Sequence, residues 1–489
     1  MMSGKFVLKC IFISLCLATV FWASPMIYAA NGDVDPTFYA GAFEPDASFT
    51  TVNAMAVQPD GKIIIAGSFT TINGSTHNQI ARLNPNGSLD ASFVPDVNNG
   101  INALALQPDG KIVIGGSFFL VNGTTHNSIA RLNADGSVDT SFTTNVDGEV
   151  FAVILQPDGK ILFGGNIGVV NNSFRYNVTR LNADGTLDTS FAPAFFDGIA
   201  SFVYALSLQT DGKVLVGGVF SQIGGVSRIN IARYNSNGSL DTAFNPIIST
   251  TNAAVRSIVL QADGKILVGG DIISINGTTV NRIARLNPDG SLDASLALSG
   301  FLDVTHIFAI SLQADGKILI GGFFLYGQSP QVRHSIARLN SDGSRDTSFN
   351  TIFSSAPGGS REGVSVIAQT GSGIFIGGQF KGLNATPSPT RIARLITTPP
   401  TAANVSVGGC VRTAYGNGIR NVRVSLTAPN GETRFALTSA FGYYRFDDIP
   451  VGETYLISVS AKRFTFSQPT VIRAVFEEIS HLDFVADPF

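Results

Sequence analysis

Cysteine, tryptophan and charge are all scarce in this chain. Of its 489 residues only three are cysteines, and Cys10 and Cys16 both lie near the N-terminus. Without that end Cys410 stands alone, so no internal disulfide can form and stability must come from packing. Cys410 lies in a strand-like stretch between Gly409 and Val411, where a buried small hydrophobe is expected rather than a reactive thiol. Trp22 is the only tryptophan, and it too is lost if the N-terminal segment is removed. A mature chain without tryptophan lacks a common sugar-stacking ring, which counts against carbohydrate binding without abolishing it. Charged residues are 14% of the chain and the net charge is −3. Such a balance offers no basic surface to nucleic acid and no acidic run to make a disordered tail. Gly-x-Ser-x-Gly, His-Glu-x-x-His and phosphate-loop motifs are also absent.

Residues 1–30 read as a secretory signal. Lys5 and Lys9 supply the charged region, Ile11 through Phe21 the apolar region, and Tyr28-Ala-Ala30 small residues for cleavage. An uncleaved anchor is the alternative, because the apolar stretch is long and Tyr28 is a poor residue three before the cut. Leu15 before Cys16 makes a poor lipoprotein site. Secretion is therefore expected, with no membrane span after cleavage, since no later stretch is long and apolar enough.

What the chain has in abundance is repetition. Lys62, Lys111, Lys160, Lys213, Lys265 and Lys317 each follow an Asp-Gly turn, and Gln369–Gly378 is a seventh copy that has lost the lysine. Arg82, Arg131, Arg180, Arg233, Arg285, Arg338 and Arg394 recur in Ile-Ala-Arg-Leu or a close variant. Asp90, Asp139, Asp188, Asp241, Asp293 and Asp346 mark the last segment of six units, and the seventh unit has none. The missing piece stands at the other end as Gly32-Asp-Val-Asp35-Pro-Thr-Phe38. A chain that borrows its last element from its own start predicts a closed ring, which leaves no open sheet edge.

Each unit reads as four short strands, for example Asn102–Gln107, Lys111–Gly116, Ser128–Asn133 and Val138–Phe142, with Asp-Gly turns between them. The expected fold is all-β: a seven-bladed β-propeller over 31–396 closed by an N-terminal strand, a linker at 397–403, and a small β-sandwich over 404–489. Lysine-to-aspartate spacing within a unit is 28 or 29 residues, whereas aspartate-to-next-lysine spacing runs from 21 to 27. Length variation thus falls mainly on the connections between units. Those connections share a face with the loop between strands two and three, and irregular loops on a rigid frame are where recognition usually sits.

The units resemble the delta-60 repeat family through Gln-x-Asp-Gly-Lys-Ile, Gly-Gly, Ile-Ala-Arg-Leu and Asp-Gly-Ser-x-Asp; the resemblance implies a β-propeller in an exported bacterial protein and supplies no catalytic residues. Asn421–Leu426, Thr438–Phe446 and Ile449–Tyr455 make the tail similar to a carboxypeptidase regulatory-like domain, a transthyretin-type sandwich with no implied peptidase activity.

These observations favour a secreted, non-enzymatic binding or scaffold protein, a monomer that meets a protein or glycan on its variable-loop face. The candidate contact residues are Arg175, Tyr176, Phe195, Phe196, Tyr326, Arg333, His334 and Arg361. Packing between blades is an equal account of Phe195 and Phe196. The alternative is an extracellular hydrolase or lyase with its pocket at the channel mouth, which would need inward carboxylates or histidines from several blades. No cofactor or metal is expected. Asn133–Asp139 is read as a turn rather than a calcium loop, since Arg131 stands where another carboxylate is wanted. His77 and His126 are read as exposed loop residues. Asn73-Gly, Asn122-Gly and Asn276-Gly fit glycosylation sequons but are read as hairpin turns. The repeated arginine and aspartate are read as a structural pair within each blade.

Overall fold

The computed structural model describes residues 32–35, 37–43, 50–194, 196–197, 201–248, 253–299, 301–326, 334–349, 351, 363–371, 373–380, 391–396, 405–428, 432–449, 453–467, 469–475, 479 and 482–487. Among these residues every regular element is a strand, and no helix is long and apolar enough to cross a membrane.

Each repeat unit forms an antiparallel sheet with its second strand in the middle. In the second unit Ile101–Leu106 pairs with Ile112–Gly116, which pairs with Ile129–Leu132. Seven such sheets follow in order, their inner strands being Val52–Val57, Ile101–Leu106, Val146–Leu155, Phe202–Leu208, Val255–Leu260, Phe301–Leu312 and Gly363–Thr370. Successive inner strands pack on one another, and Gly363–Thr370 packs in turn on Val52–Val57. The middle strands are buried throughout, as their unbroken β-branched sequence requires.

Six of the seven middle strands carry a Gly-Gly pair, with Ala66-Gly67 in its place in the first, and the two glycines have separate causes. A Cβ on Gly115 would lie 2.5 Å from Val150 Cγ1 of the next unit, so the first glycine lets neighbouring sheets approach. A Cβ on Gly116 would lie 2.1 Å from the Gly100 carbonyl oxygen, because a bulge at Asn102 carries that backbone across the strand. The same bulge recurs in every unit, at Asn53, Asn102, Phe151, Tyr204, Arg256, Phe308 and Ser365.

The expected fourth strand is reduced to one bridge, such as Leu132 to Val138. Beyond it a charged node curls the chain. Lys111 Nζ and Arg131 Nε lie 2.8 and 2.7 Å from Asp139 Oδ2, while the Ser141 amide and hydroxyl donate to Asp139 Oδ1. The Arg131 guanidinium also covers the Phe142 ring at 4.8 Å. Lysine and arginine meet the equivalent aspartate at Asp90, Asp188, Asp241, Asp293 and Asp346.

The arginine's other arm leaves the unit. Arg82, Arg131, Arg180, Arg233 and Arg285 donate to the carbonyls of Ala134, Ala183, Ser236, Pro288 and Ser341 in the following unit. The arginine–aspartate pair lies within each unit, as expected, and this backbone bond is made between neighbouring sheets. Arg394 of the last unit donates in the same way to Pro85 of the first.

Arg394 also lies 2.6 Å from Asp35, and Val34 bridges Leu395 antiparallel. The Gly32 amide donates to Ile396 O, Ile396 N to Asp33 O, and Asp35 N to Arg394 O. Asp35 thus stands to Arg394 as Asp139 stands to Arg131. Phe38 then packs on Phe375 of the last unit, and Phe43 bridges Ile72 of the first.

The C-terminal residues form two facing sheets. One orders Tyr443–Ile449, Val405–Arg412 and Phe484–Val485; the other orders Thr433–Leu437, Arg423–Thr427, Glu453–Ser460 and Thr470–Val475. Val411, Val424, Tyr444, Phe446 and Ile457 are among the side chains between them. Cys410 is buried there, 3% exposed.

Candidate functional site

The face expected to be irregular is knitted. Beyond these glycines, among the described residues, five units make a two-residue hairpin, for example Leu120–Val121 with Thr124–Thr125. Its turn residues Asn122 and Gly123 have φ of 48° and 73°, the doubly positive pattern of a type I′ turn, which is why Asn-Gly recurs there. The connection arriving from the previous unit then bridges the hairpin, as at Val97 to Val121 and Ile248 to Ile275. The Asn122 side-chain oxygen accepts from Asp96 N while the Asn122 backbone N–H donates to Asp96 O, and Asn73, Asn171 and Asn276 make the same clasp.

This knitting sorts the residues selected from sequence. Arg175 is half-buried and Tyr176 exposed on the third unit's hairpin, where the Tyr176 ring stacks on Phe174 at 6.4 Å. Phe196 is not a contact residue of the face. It is 5% exposed, packs edge-on against Phe220 at 4.8 Å and bridges Ile223, so packing is its role. The backbones of Tyr326 and His334 lie in strands, but their side chains fall outside the described residues. Phe195, Arg333 and Arg361 lie outside them altogether. His77, read as exposed, is buried at 4%, and burial pushes its ring below the usual histidine range. Asn133–Asp139 is a turn whose Asp135 accepts from Ser137. Among the described residues no three His, Cys, Asp or Glu side chains converge as a metal ligand set.

The side chains that do converge come from the bulges. Each bulge lies toward the hairpin side of an inner strand, so the bulged residue and the one two before it lie at the same end of the inner strands. In the first two units these are amides: Asn53 donates to Ile101 O at 3.1 Å, and Asn102 to Glu149 Oε1 at 2.9 Å. From the third unit to the sixth they are rings and a cation. Phe151 lies 5.0 Å from Tyr204, and Phe202 stacks on Tyr204 at 6.0 Å with 5° between the planes. The Arg256 guanidinium stands 5.2 Å from the Tyr204 ring and 5.7 Å from Phe308. His306 stacks on Phe308 at 5.7 Å.

Asp271, immediately after the fifth unit's Gly-Gly pair, fixes the charged part. It accepts from Arg256 Nε and NH2 at 3.1 and 2.9 Å and meets His306 Nδ1 on its other oxygen. Burial raises the Tyr204 hydroxyl above the usual tyrosine range; Arg256 opposes that rise, and Glu149 and Asp271 add to it. All of these side chains are half-buried. Sequence reasoning looked for variable loops and missed them, although one signal was present. They occupy the column nine residues before each turn lysine, where Asn53, Asn102, Phe151, Tyr204, Arg256 and Phe308 stand in an otherwise repetitive strand.

Segments 58–93, 107–142, 156–191, 209–244, 261–296 and 313–349 match a family model described as a domain of unknown function (DUF5122), β-propeller. Residues 406–485 match the carboxypeptidase regulatory-like domain. The chain is a β-propeller repeat protein carrying a carboxypeptidase regulatory-like domain. The seventh unit of this propeller, which lost its lysine, is not among the matched segments. No curated protein matches the chain. Among solved structures it is similar to a virginiamycin B lyase from Staphylococcus aureus, at 15% identity over 69% of this chain and 94% of that one, with a TM-score of 0.41. A gluconolactonase from Xanthomonas campestris matches at 15% identity over 60% and 93%, TM-score 0.35, and a xyloglucanase from the same organism at 11% over 92% and 68%, TM-score 0.37. Likeness this distant speaks to fold and not to activity.

Proposed function

We propose that this is an exported binding protein whose seven sheets form one closed ring and whose ligand seats at the channel mouth on the hairpin face. The observation that carries this reading is the convergence of Phe151, Tyr204, Arg256 and Phe308 from four consecutive units at a single bulge position. The fold is indifferent to that position, since asparagine, phenylalanine, tyrosine, arginine and serine all occupy it. Large rings and a cation gathered there are therefore chosen for something other than folding. Arg175 and Tyr176 extend the same face, and the sandwich serves as spacer or second contact. The Lys5, Lys9 and Ile11–Phe21 pattern supports export, with the mature chain starting at Asn31.

The test is a ligand-observed NMR screen of small polar and aromatic fragments against the mature protein and a Tyr204→Ala/Phe308→Ala variant with an unchanged melting temperature. Fragments that bind the wild type and lose contact with the variant are the expected result. Fragments that respond instead to substitution of Tyr176, or to neither change, would remove the mouth as the site.

A second reading is favoured by one observation, the hydrogen-bonded Asp271–His306 pair. A carboxylate orienting an imidazole can serve general acid–base chemistry in a hydrolase or lyase. On that reading His306→Ala abolishes turnover of a bound ligand while leaving its affinity intact.

A further inference from the structure

The inventory at the mouth points to a ligand class, and we infer that the site takes a neutral saccharide; this rests on the binding reading above. Phe151, Phe202, Tyr204 and Phe308 supply apolar ring faces along one arc, suited to the C–H face of a sugar ring. Between them stand polar atoms that the protein leaves open. Among the described residues the Tyr204 hydroxyl has no protein hydrogen bond, Arg256 spends Nε and NH2 on Asp271, and Glu149 has one oxygen engaged by Asn102. Donors and acceptors thus alternate, which suits hydroxyl groups because each is both.

Charge removes the alternatives. Asp271 neutralises Arg256, and among the described residues Glu149 has no cationic partner. An anionic ligand would therefore meet a paired arginine and a bare carboxylate. A cationic ligand would find the faces of Tyr204 and Phe308 shared with the Arg256 guanidinium, which repels a second positive charge. The scarcity of tryptophan does not block the reading, since phenylalanine and tyrosine from separate units assemble the platform.

The experiment titrates the mature protein with neutral hexasaccharides of β-1,4-glucose, α-1,4-glucose and β-1,4-xylose. Hexagalacturonate, chitosan hexamer and an uncharged hexapeptide serve as comparisons. Calorimetry gives the affinity, and tyrosine emission, unmasked when Trp22 is absent, reports the site. At least one neutral hexasaccharide is expected to bind. Tyr204→Ala or Phe308→Ala should weaken it about tenfold, Glu149→Gln several-fold, and Val226→Ala on an exposed hairpin not at all. Variants are compared only where their melting temperatures match the wild type, and Tyr204→Phe, which keeps the ring, replaces any that fails to fold. Binding of the charged oligomers alone, still dependent on Tyr204 and Phe308, overturns the neutrality of the ligand, and such binding of the peptide alone overturns the saccharide class; either leaves the site. Failure of every probe while screened fragments still occupy the mouth overturns the class likewise. Saccharide binding indifferent to both rings overturns class and site together.

Discussion

Replacing Arg394 by alanine is expected to lower the melting temperature of the whole repeat domain, far more than replacing an exposed arginine. Arg394 ties its own strand to two pieces of chain remote in sequence, the N-terminal Asp35 and Thr37 and the Pro85 carbonyl. Its side chain is 14% exposed and that of Asp35 15%, so removal strands a mostly buried carboxylate. Breaking a buried pair costs about 3–5 kcal/mol, and the residual exposure here brings the expectation to roughly 2–3 kcal/mol. Arg445→Ala removes a pair with Asp447 in which both side chains are more than half exposed, and it should leave the melting temperature nearly unchanged. Deleting residues 31–43 goes further. It uncovers Phe375 and Ile72 by removing Phe38 and Phe43, each buried Phe being worth about 1.5–3 kcal/mol, and opens the outer edge of the last sheet. That variant is expected to aggregate, and scanning calorimetry with light scattering checks both.

Acid is the second lever, and its effect is large because one node is repeated from unit to unit. Burial alone would raise the Asp139 carboxyl, but hydrogen bonds from Lys111, Ser141 and Arg131 override it and hold the group well below the usual carboxylate range. Asp35, Asp90, Asp188, Asp241, Asp293 and Asp346 are lowered as well. A carboxyl depressed in the folded state adds stability that is complete above its unfolded value, near 4, and lost as pH falls toward the folded value. The unfolded chain binds more protons than the native one in that window, so stability rises with pH there. The melting temperature should be flat from about pH 5 upward as far as these groups are concerned, then fall steeply below about pH 4. Calorimetry in buffers of different ionisation enthalpy should show proton uptake on unfolding. A melting temperature that holds constant down to pH 2 would mean the nodes are not ionised pairs.

Much of this architecture is legible because the chain repeats itself. The Asp-Gly-Lys turn, the Ile-Ala-Arg strand and the Asp-Thr-Ser-Phe segment each encode a local structure, and repetition turns local signals into a count. Asp35-Pro-Thr-Phe38 could be matched to the last unit by the same logic. The mouth could not be read that way. A bulge is a backbone event, visible in sequence only through the second glycine that makes room for it. Nothing in the strand around Tyr204 says that it will meet Phe151 and Arg256 from other units. Variable connection length pointed to irregular loops, whereas Asn122 and its equivalents clasp those connections into short hairpins. Phe196 shows the same limit, since an aromatic residue in a long connection reads as surface until its partner Phe220 is known. The Arg131 side chain was half legible: its bond to Asp139 is local, but its bond to Ala183 spans two sheets.

The most direct test of the ring is amide hydrogen exchange at Gly32, Asp35 and Ile396, which donate to Ile396 O, Arg394 O and Asp33 O. If the N-terminal segment completes the last sheet, these amides are protected as strongly as Asp90 and Asp139, whose amides donate to Arg82 O and Arg131 O in the equivalent places. Exchange at the rate of a free peptide, with Asp90 and Asp139 still protected, would contradict it.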